Sequence, residues 1–150
     1  KDFVCTMYAN FFIRNNQLHM KVQMRSNDIF YGLTFDAPFF SFLHQSVYLI
    51  LKDEYADLEL GIYHHFADNI HFYERHFELA EDIKNSRTTL DDYQFILKDK
   101  FIDYNTTDGI SLTAAAVDFI VKVDETISED GTTPKNQQKY KTILEQFFKI

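Results

Sequence analysis

The sequence predicts an α+β fold: a mostly antiparallel or mixed sheet, a long buried helix, and a helical subdomain at the C-terminal end. Three observations carry that prediction. Val4 to Ile13 is dense in aromatic and β-branched residues, and Leu18, Met20, Val22 and Met24 then alternate with His19, Lys21, Gln23 and Arg25. The first pattern is that of a buried strand and the second that of a strand with one buried face. From Pro38 onward, Phe39, Phe42, Leu43, Val47, Ile50 and Leu51 recur at helical spacing as a wide apolar stripe. Past Asn85 the periodicity is helical throughout.

Each element follows in order. Arg14-Asn15-Asn16-Gln17 is a turn, because Asn tolerates left-handed backbone angles, and it joins the first two strands as a hairpin. Pro38 suits the first turn of a helix, with Asp36 before it as a candidate cap and an end near Lys52. Lys52 to Asp57 is a charged connection, Leu58 to Ile70 returns to strand or loop character around Gly61, and a second helix is expected from about Tyr73 to Asn85. Three further helices are expected over Thr89–Phe101, over Ser111–Ile127 behind a Ser cap, and from Pro134 to Ile150 after the Glu129-Asp130-Gly131 turn. Packed together they would form a small antiparallel subdomain. The expected division is therefore 1–85 and 86–150.

Composition narrows the class. The chain has 150 residues, 45% hydrophobic and 17% aromatic, enough for a real core and too apolar for a disordered chain. Its net charge of −8 argues against a nucleic-acid partner, which demands clustered Lys and Arg, although a cationic pocket for one phosphate stays open. A single cysteine excludes an internal disulfide and makes a secreted scaffold a poor fit. The longest apolar run, Phe39 to Leu51, is interrupted by Ser41, His44, Gln45 and Ser46, so no membrane span is expected. A cytoplasmic protein without a structural metal is the default.

Several residues could carry chemistry, and each has a plainer alternative. Cys5 sits at the start of the first strand; a lone cysteine is either a nucleophile or a small hydrophobe. Arg25-Ser26-Asn27-Asp28 ends the second strand. Arg and Ser together can hold a phosphate, by a planar fork of donors and a hydroxyl; otherwise the segment is a salt-bridged turn. His71 and Tyr73, two residues apart, would share a strand face and suit a sugar hydroxyl, or else be satisfied core residues.

Taken in order, Cys5-Thr6, Asn10 with its aromatic neighbours, Met24 to Asp28, Gly32-Leu33-Thr34-Phe35-Asp36, and His71-Phe72-Tyr73 resemble the catalytic half of the thymidylate synthase family. Within that family they look most like the phage-type deoxycytidylate hydroxymethylase branch. The resemblance covers about Val4 to Phe77. It implies a thymidylate synthase-like sheet and a C5 one-carbon transfer to a pyrimidine nucleoside monophosphate, with 5,10-methylenetetrahydrofolate as donor. It implies Cys5 as the thiolate that attacks C6 of the base, because C5 is a poor nucleophile until sulfur adds beside it. Arg25 and Ser26 would bind the phosphate, Asp28 would help orient the base and its loop, and His71 and Tyr73 would hold the 3′-hydroxyl. Asn10 stands where the family often has Gln. A homodimer through the sheet, in the cytoplasm (of a host, if phage-encoded), is implied likewise.

Asp36 occupies the position where synthases acting on dUMP carry Asn. An Asn amide donates and accepts, which suits the uracil 4-oxo group and N3–H; a carboxyl accepts from the cytosine 4-amino group and, when protonated, donates to N3. Asp36 therefore points to dCMP and hydroxymethylation, with dUMP methylation or nucleotide binding without turnover as the alternatives. The chain departs from the family in several places, among them the helical end after Asn85, which does not resemble the family's usual C-terminal tail. The upstream half, with its catalytic glutamate, is not in these 150 residues, so a fragment of a longer enzyme, half of a split one, or a degenerate relative is expected. Phe66-Ala67-Asp68-Asn69 also replaces the Gly-rich context before His-x-Tyr.

Overall fold

The computed structural model describes residues 4–86, 96–106, 109–128, 142–143 and 145–149. Two compact units divide the chain, Lys1–Thr88 and Thr89–Ile150.

In the first unit, β1 (Thr6–Arg14) and β2 (Gln17–Met24) form the expected antiparallel hairpin. Asn15 and Asn16 make its turn with φ of 52° and 60°, the left-handed region that short amide side chains tolerate. A later strand, β4 (Glu59–Ala67), pairs parallel to β2, giving a mixed sheet in the order β1-β2-β4. As the central strand, β2 buries Leu18, Met20, Val22 and Met24 completely, in register with the alternation of the sequence.

The first strand differs from expectation. It is an edge strand with most of its residues exposed, among them Met7, Tyr8 and Ile13. Its apolar composition predicts burial, but an edge strand has a neighbour on one side only. A bulge between Thr6 and Tyr8 sets its facing.

The helix α1 (Thr34–Leu51) covers one face of the sheet, with Phe40 packed on Met20, Val22 and Met24. It starts earlier than Pro38, continuing a π-helical turn at Ile29–Leu33, and Pro38 lies inside it. Asp36 is consequently a first-turn residue and not the cap. The buried face also differs: Phe40, His44, Gln45 and Ser46 are buried, whereas Phe39 is exposed. In a run this apolar the pattern does not single out one face. What orients the helix is a polar demand from the sheet beneath it.

That demand is a bulge in the β2–β4 ladder between Leu18 and Met20. There His44 Nε2 donates to the Leu18 carbonyl at 2.8 Å, and the Ile62 amide donates to His19 Nδ1 at 3.0 Å. Two imidazoles thus satisfy backbone groups that the ladder leaves unpaired. Gly61 permits the approach: a Cβ there would stand 2.6 Å from the Leu18 carbonyl oxygen.

Two short strands, β3 (Asn27–Asp28) and β5 (Ile70–His71), pair in parallel beyond the ends of β2 and β4. The second helix begins later than Tyr73, as a 3-10 turn at Glu74–His76 followed by α2 (Phe77–Asn85).

The second unit is not the all-helical subdomain expected. β6 (Ile96–Leu97) pairs with β9 (Phe148–Lys149), β7 (Ile102–Thr106) pairs with β8 (Gly109–Leu112), and α3 spans Ala114–Ser128. The helix expected over Thr89–Phe101 gives way to β6 where it is described, and its residues 89–95 lie outside the described ones. Ser111 belongs to β8, and Thr113 is the cap, its Oγ1 accepting from the Ala116 amide at 3.3 Å. Of the Pro134–Ile150 helix, residues 134–141, 144 and 150 lie outside the described ones, residues 142–143 and 145–147 are helical, and β9 follows. Strands this short show too few residues for a period of two to be told from 3.6. Phe101, Phe119 and Phe147 pack ring to ring at 5.3–6.2 Å beside buried Leu97 and Ala116. Among the described residues no helix is long and apolar enough to cross a membrane.

Candidate active site

The ends of β2 and β4 and the start of α1 draw most of the singled-out residues together. Cys5 stands one residue before β1 and is exposed, rather than buried in the strand. The Arg25 amide donates to the Cys5 carbonyl at 2.9 Å, which fixes the cysteine beside the end of β2. Arg25 also donates from Nε to the Val4 carbonyl at 3.3 Å. Ser26 Oγ lies 3.5 Å from His71 Nδ1, at the outer limit of a hydrogen bond. Parallel pairing sets Asp28 opposite His71, and the His71 and Tyr73 rings meet edge to face at 5.4 Å.

Asp28 has a clear local duty. Its Oδ1 accepts from the amides of Phe30 and Tyr31, at 2.8 and 2.9 Å, and so caps the π-helical turn. The Tyr31 and Phe30 amides, with His71 and His76 nearby, hold this carboxyl below its ordinary 3.8 against the opposing effect of burial. Its Oδ2 is buried with no hydrogen-bond partner among the described residues.

Asp36 is tied to the same segment through Asn27, whose Nδ2 donates to Asp36 Oδ2 at 2.8 Å. Asn27 is only 2% exposed, so this anchor is shielded from water. Its amide side chain rests against Gly32, where a Cβ would come within 3.1 Å of Oδ1. The Asn27 backbone is fixed in turn, its amide donating to the Asn69 carbonyl at 2.9 Å. The non-glycine segment before His71 is accommodated: Asp68 accepts from Gln23 Nε2 at 2.7 Å, and its amide bonds the Met24 carbonyl.

Asn10 is not brought to this cluster. It pairs with Lys21 in mid-strand, on the sheet face away from α1, and is exposed. At about 3.3 Å per strand residue, five residues separate it from Cys5 by roughly 16 Å.

Four contributors escape the sequence reading. Asn27 is hidden inside a motif read for its neighbours. His76 is buried at 5.1 Å from both the Phe30 and Tyr31 rings and accepts from Arg75 Nε at 3.2 Å. Tyr63 and His65 project from β4 to the α1 side and hydrogen-bond to each other through Tyr63 OH and His65 Nδ1. Burial, with the Asp36 charge adding to it, pushes the Tyr63 phenol up to about 12. Burial lowers the His65 imidazole, and Asp36 opposes that effect. The alternation of Tyr63 and His65 was the available signal, but only tertiary structure sets them beside Asp36. Among the described residues no group of three His, Cys, Asp or Glu could hold a metal ion.

The family model described as thymidylate synthase matches residues 3–116, past Phe77 and through β6, β7 and β8. The chain is 33% identical to the thymidylate synthase of Mycoplasma genitalium over 109 residues, 72% of this chain and 36% of that protein. It is 30% identical to that of Mycoplasma pneumoniae over 103 residues, 61% of this chain and 34% of that protein. It spans about a third of the length of these curated relatives. The thermostable thymidylate synthase A of Bacillus subtilis shares the fold, with a TM-score of 0.53 and 22% identity over 73% of this chain and 38% of that one. An exposed cysteine held beside an arginine at the strand ends, in a chain that the family model matches along three quarters of its length, leads to one conclusion: the chain belongs to the thymidylate synthase family.

Proposed function

We propose that this chain is the nucleophile-bearing part of an enzyme that transfers a one-carbon group to C5 of a pyrimidine nucleoside monophosphate, with dCMP preferred to dUMP. The observation that carries the reading is the convergence of Cys5, Arg25, Ser26, Asp28, Asp36, His71 and Tyr73 on one end of the sheet. In this reading residues 1–85 are the catalytic half and 86–150 an extension.

The chemistry follows from the residue types. The Cys5 thiolate adds to C6 of the base, and the electron pair moves toward C5, which becomes the nucleophile. Arg25 and Ser26 bind the phosphate. His71 and Tyr73 hold the 3′-hydroxyl. Asp28 orients the base through the turn that it caps. Asn10 would enter only through contacts beyond this cluster. 5,10-Methylenetetrahydrofolate supplies the carbon when bound.

Asp36 carries the base preference. One carboxyl oxygen is committed to Asn27, and the group keeps acceptor capacity for a 4-amino substituent. A site built for that pairing rejects a 4-oxo group, because a buried acceptor is then left facing another acceptor. Methylation of dUMP is the second reading, favoured by the synthase relatives.

Calorimetric titration with dCMP and dUMP tests this. Native chain is expected to bind dCMP at least tenfold more tightly, on the order expected for one unpaired polar group, and Asp36→Asn to swing the ratio toward dUMP. A dCMP preference that survives Asp36→Asn unchanged removes Asp36 from base recognition. Tighter dUMP binding by the native chain makes the methylation reading the correct one.

A further inference from the structure

Asn27 meets Asp36 from inside the unit, its Nδ2 donating to Asp36 Oδ2 at 2.8 Å. The side chain has little freedom to leave that contact. Asn27 is 2% exposed, its backbone amide donates to the Asn69 carbonyl at 2.9 Å, and β3 pairs it with Ile70. The side-chain amide rests on Gly32, where a Cβ would meet its Oδ1, Cγ and Nδ2 at 3.1, 3.3 and 3.6 Å. Asn27 is thus held by its own strand and by the turn into α1, and not by Asp36 alone.

The contact has a direction. An amide can present either end, and a carboxyl oxygen takes the donor end. The reverse would set Oδ1 against Asp36 Oδ2 and turn the NH2 group toward Gly32, where Oδ1 now lies buried and without a partner among the described residues. Because Asn27 is shielded from water, the Asp36 oxygen that it holds is the inner one. Asp36 is half-buried, and its Oδ1 accepts from no other described residue.

We propose that Asn27 is the positioning residue that sets which atom of residue 36 meets the base. Its Nδ2 draws an oxygen inward, so the outward atom is an acceptor when residue 36 is Asp and a donor when it is Asn. This rests on the reading of Asp36 as the base-recognising group, and it makes the recognition a property of a pair. In the native pair Asn27 fixes the rotation of the carboxyl group and leaves Oδ1 for a 4-amino substituent. After Asp36→Asn the new amide turns its own oxygen to Asn27 and its NH2 outward, as a 4-oxo group requires. An acceptor in place of Asn27 would reverse that amide, drawing the NH2 inward and sending the oxygen out.

The experiment fixes residue 36 by Asp36→Asn in the full chain and varies residue 27. Titrations with dCMP and dUMP compare Asp36→Asn alone, with Asn27→Ala, and with Asn27→Asp, which exchanges the two side chains. Residue 27 then offers a donor, no partner and an acceptor in turn. The expected preference is dUMP in the first variant, neither nucleotide in the second and dCMP in the third. The ratio should move by about tenfold across the series, on the order of one hydrogen bond made or lost. A residue that only supports the fold would change both affinities together and leave the ratio in place. Hydrogen exchange of the introduced side-chain amide, followed by nitrogen NMR, reads its orientation without nucleotide. It should be fast in Asp36→Asn and at least about tenfold slower in the exchanged pair, where the NH2 is hydrogen-bonded inward. Should the buried carboxylate unfold the exchanged pair, Asn27→Ala adds no charge and decides by its ratio. One ratio across the series overturns the proposal, as does equal amide exchange in the two variants. If Asp36→Asn leaves the native ratio unchanged, or neither nucleotide binds, the reading of Asp36 fails by itself, and amide exchange decides whether Asn27 sets the orientation.

Discussion

Asp28 shows how one carboxylate can serve structure and site together. Its Oδ1 takes two amide hydrogens of the turn that leads into α1. Those amides favour the charged form, so its folded value lies below the ordinary 3.8. A depressed folded value means that the stabilisation is complete above 3.8 and is lost as pH falls from there through the folded value. Asp28→Asn keeps a capping oxygen but cannot titrate. We expect the melting temperature of the native chain to fall more steeply than that of Asp28→Asn between about pH 5 and pH 2. Parallel curves would show that the cap does not depend on the charge.

At the scale of elements, the β2–β4 bulge organises the unit. It presents the Leu18 carbonyl and the Ile62 amide to His44 and His19, and it brings Gly61 against the β2 backbone. Backbone cannot yield as the end of a flexible side chain can. Gly61→Ala should therefore cost about 1–3 kcal/mol, as overpacking at a rigid contact does. Denaturant unfolding measures it, and a loss below about 0.5 kcal/mol would mean that the ladder shifts freely. The hairpin was legible because Asn15-Asn16 and the alternation in β2 are local signals. The bulge was not, since its partners are 26 and 43 residues apart in sequence. The face of α1 escaped for the same reason: its register is set by His44 meeting a carbonyl on another strand.

For the whole molecule, every candidate residue lies in the unit ending at Thr88. That unit has its own core around Met20, Val22, Met24 and Phe40. Residues 1–88 are accordingly expected to bind nucleotide within about threefold of the full chain, a difference under 1 kcal/mol. A larger loss, with the fold intact by circular dichroism, would give the second unit a part in the site. The outer sheet face bears a ladder of rings across β1, β2 and β4. Phe12 stacks on His19 at 5.3 Å, His19 meets His64 at 6.3 Å, and His64 stacks on Phe66 at 6.3 Å. Lys21 lies over the half-exposed Tyr8 and Phe66. We read this face as the seat of a second copy, as the family resemblance implies. Sedimentation should show a dimer that Phe66→Glu dissociates, because a carboxylate buried without a partner is strongly disfavoured. A monomeric native chain would exclude that use of the face.

The sequence by itself determined the family, the hairpin, the central strand and the identity of the candidate site residues. These rest on local turn chemistry, on strict alternation, and on an ordered set of motifs. Tertiary structure alone decided the rest. It made β1 an edge, turned α1 onto His44, put β6 in place of the first expected helix of the second unit where that is described, ended the last one in β9, and left Asn10 apart from the cluster. It also set Asn27, Tyr63 and His65 around Asp36. The physical reason is common to all of these. Burial and hydrogen-bond satisfaction are properties of pairs, and a residue's sequence neighbours do not say which distant backbone group or charge will need it.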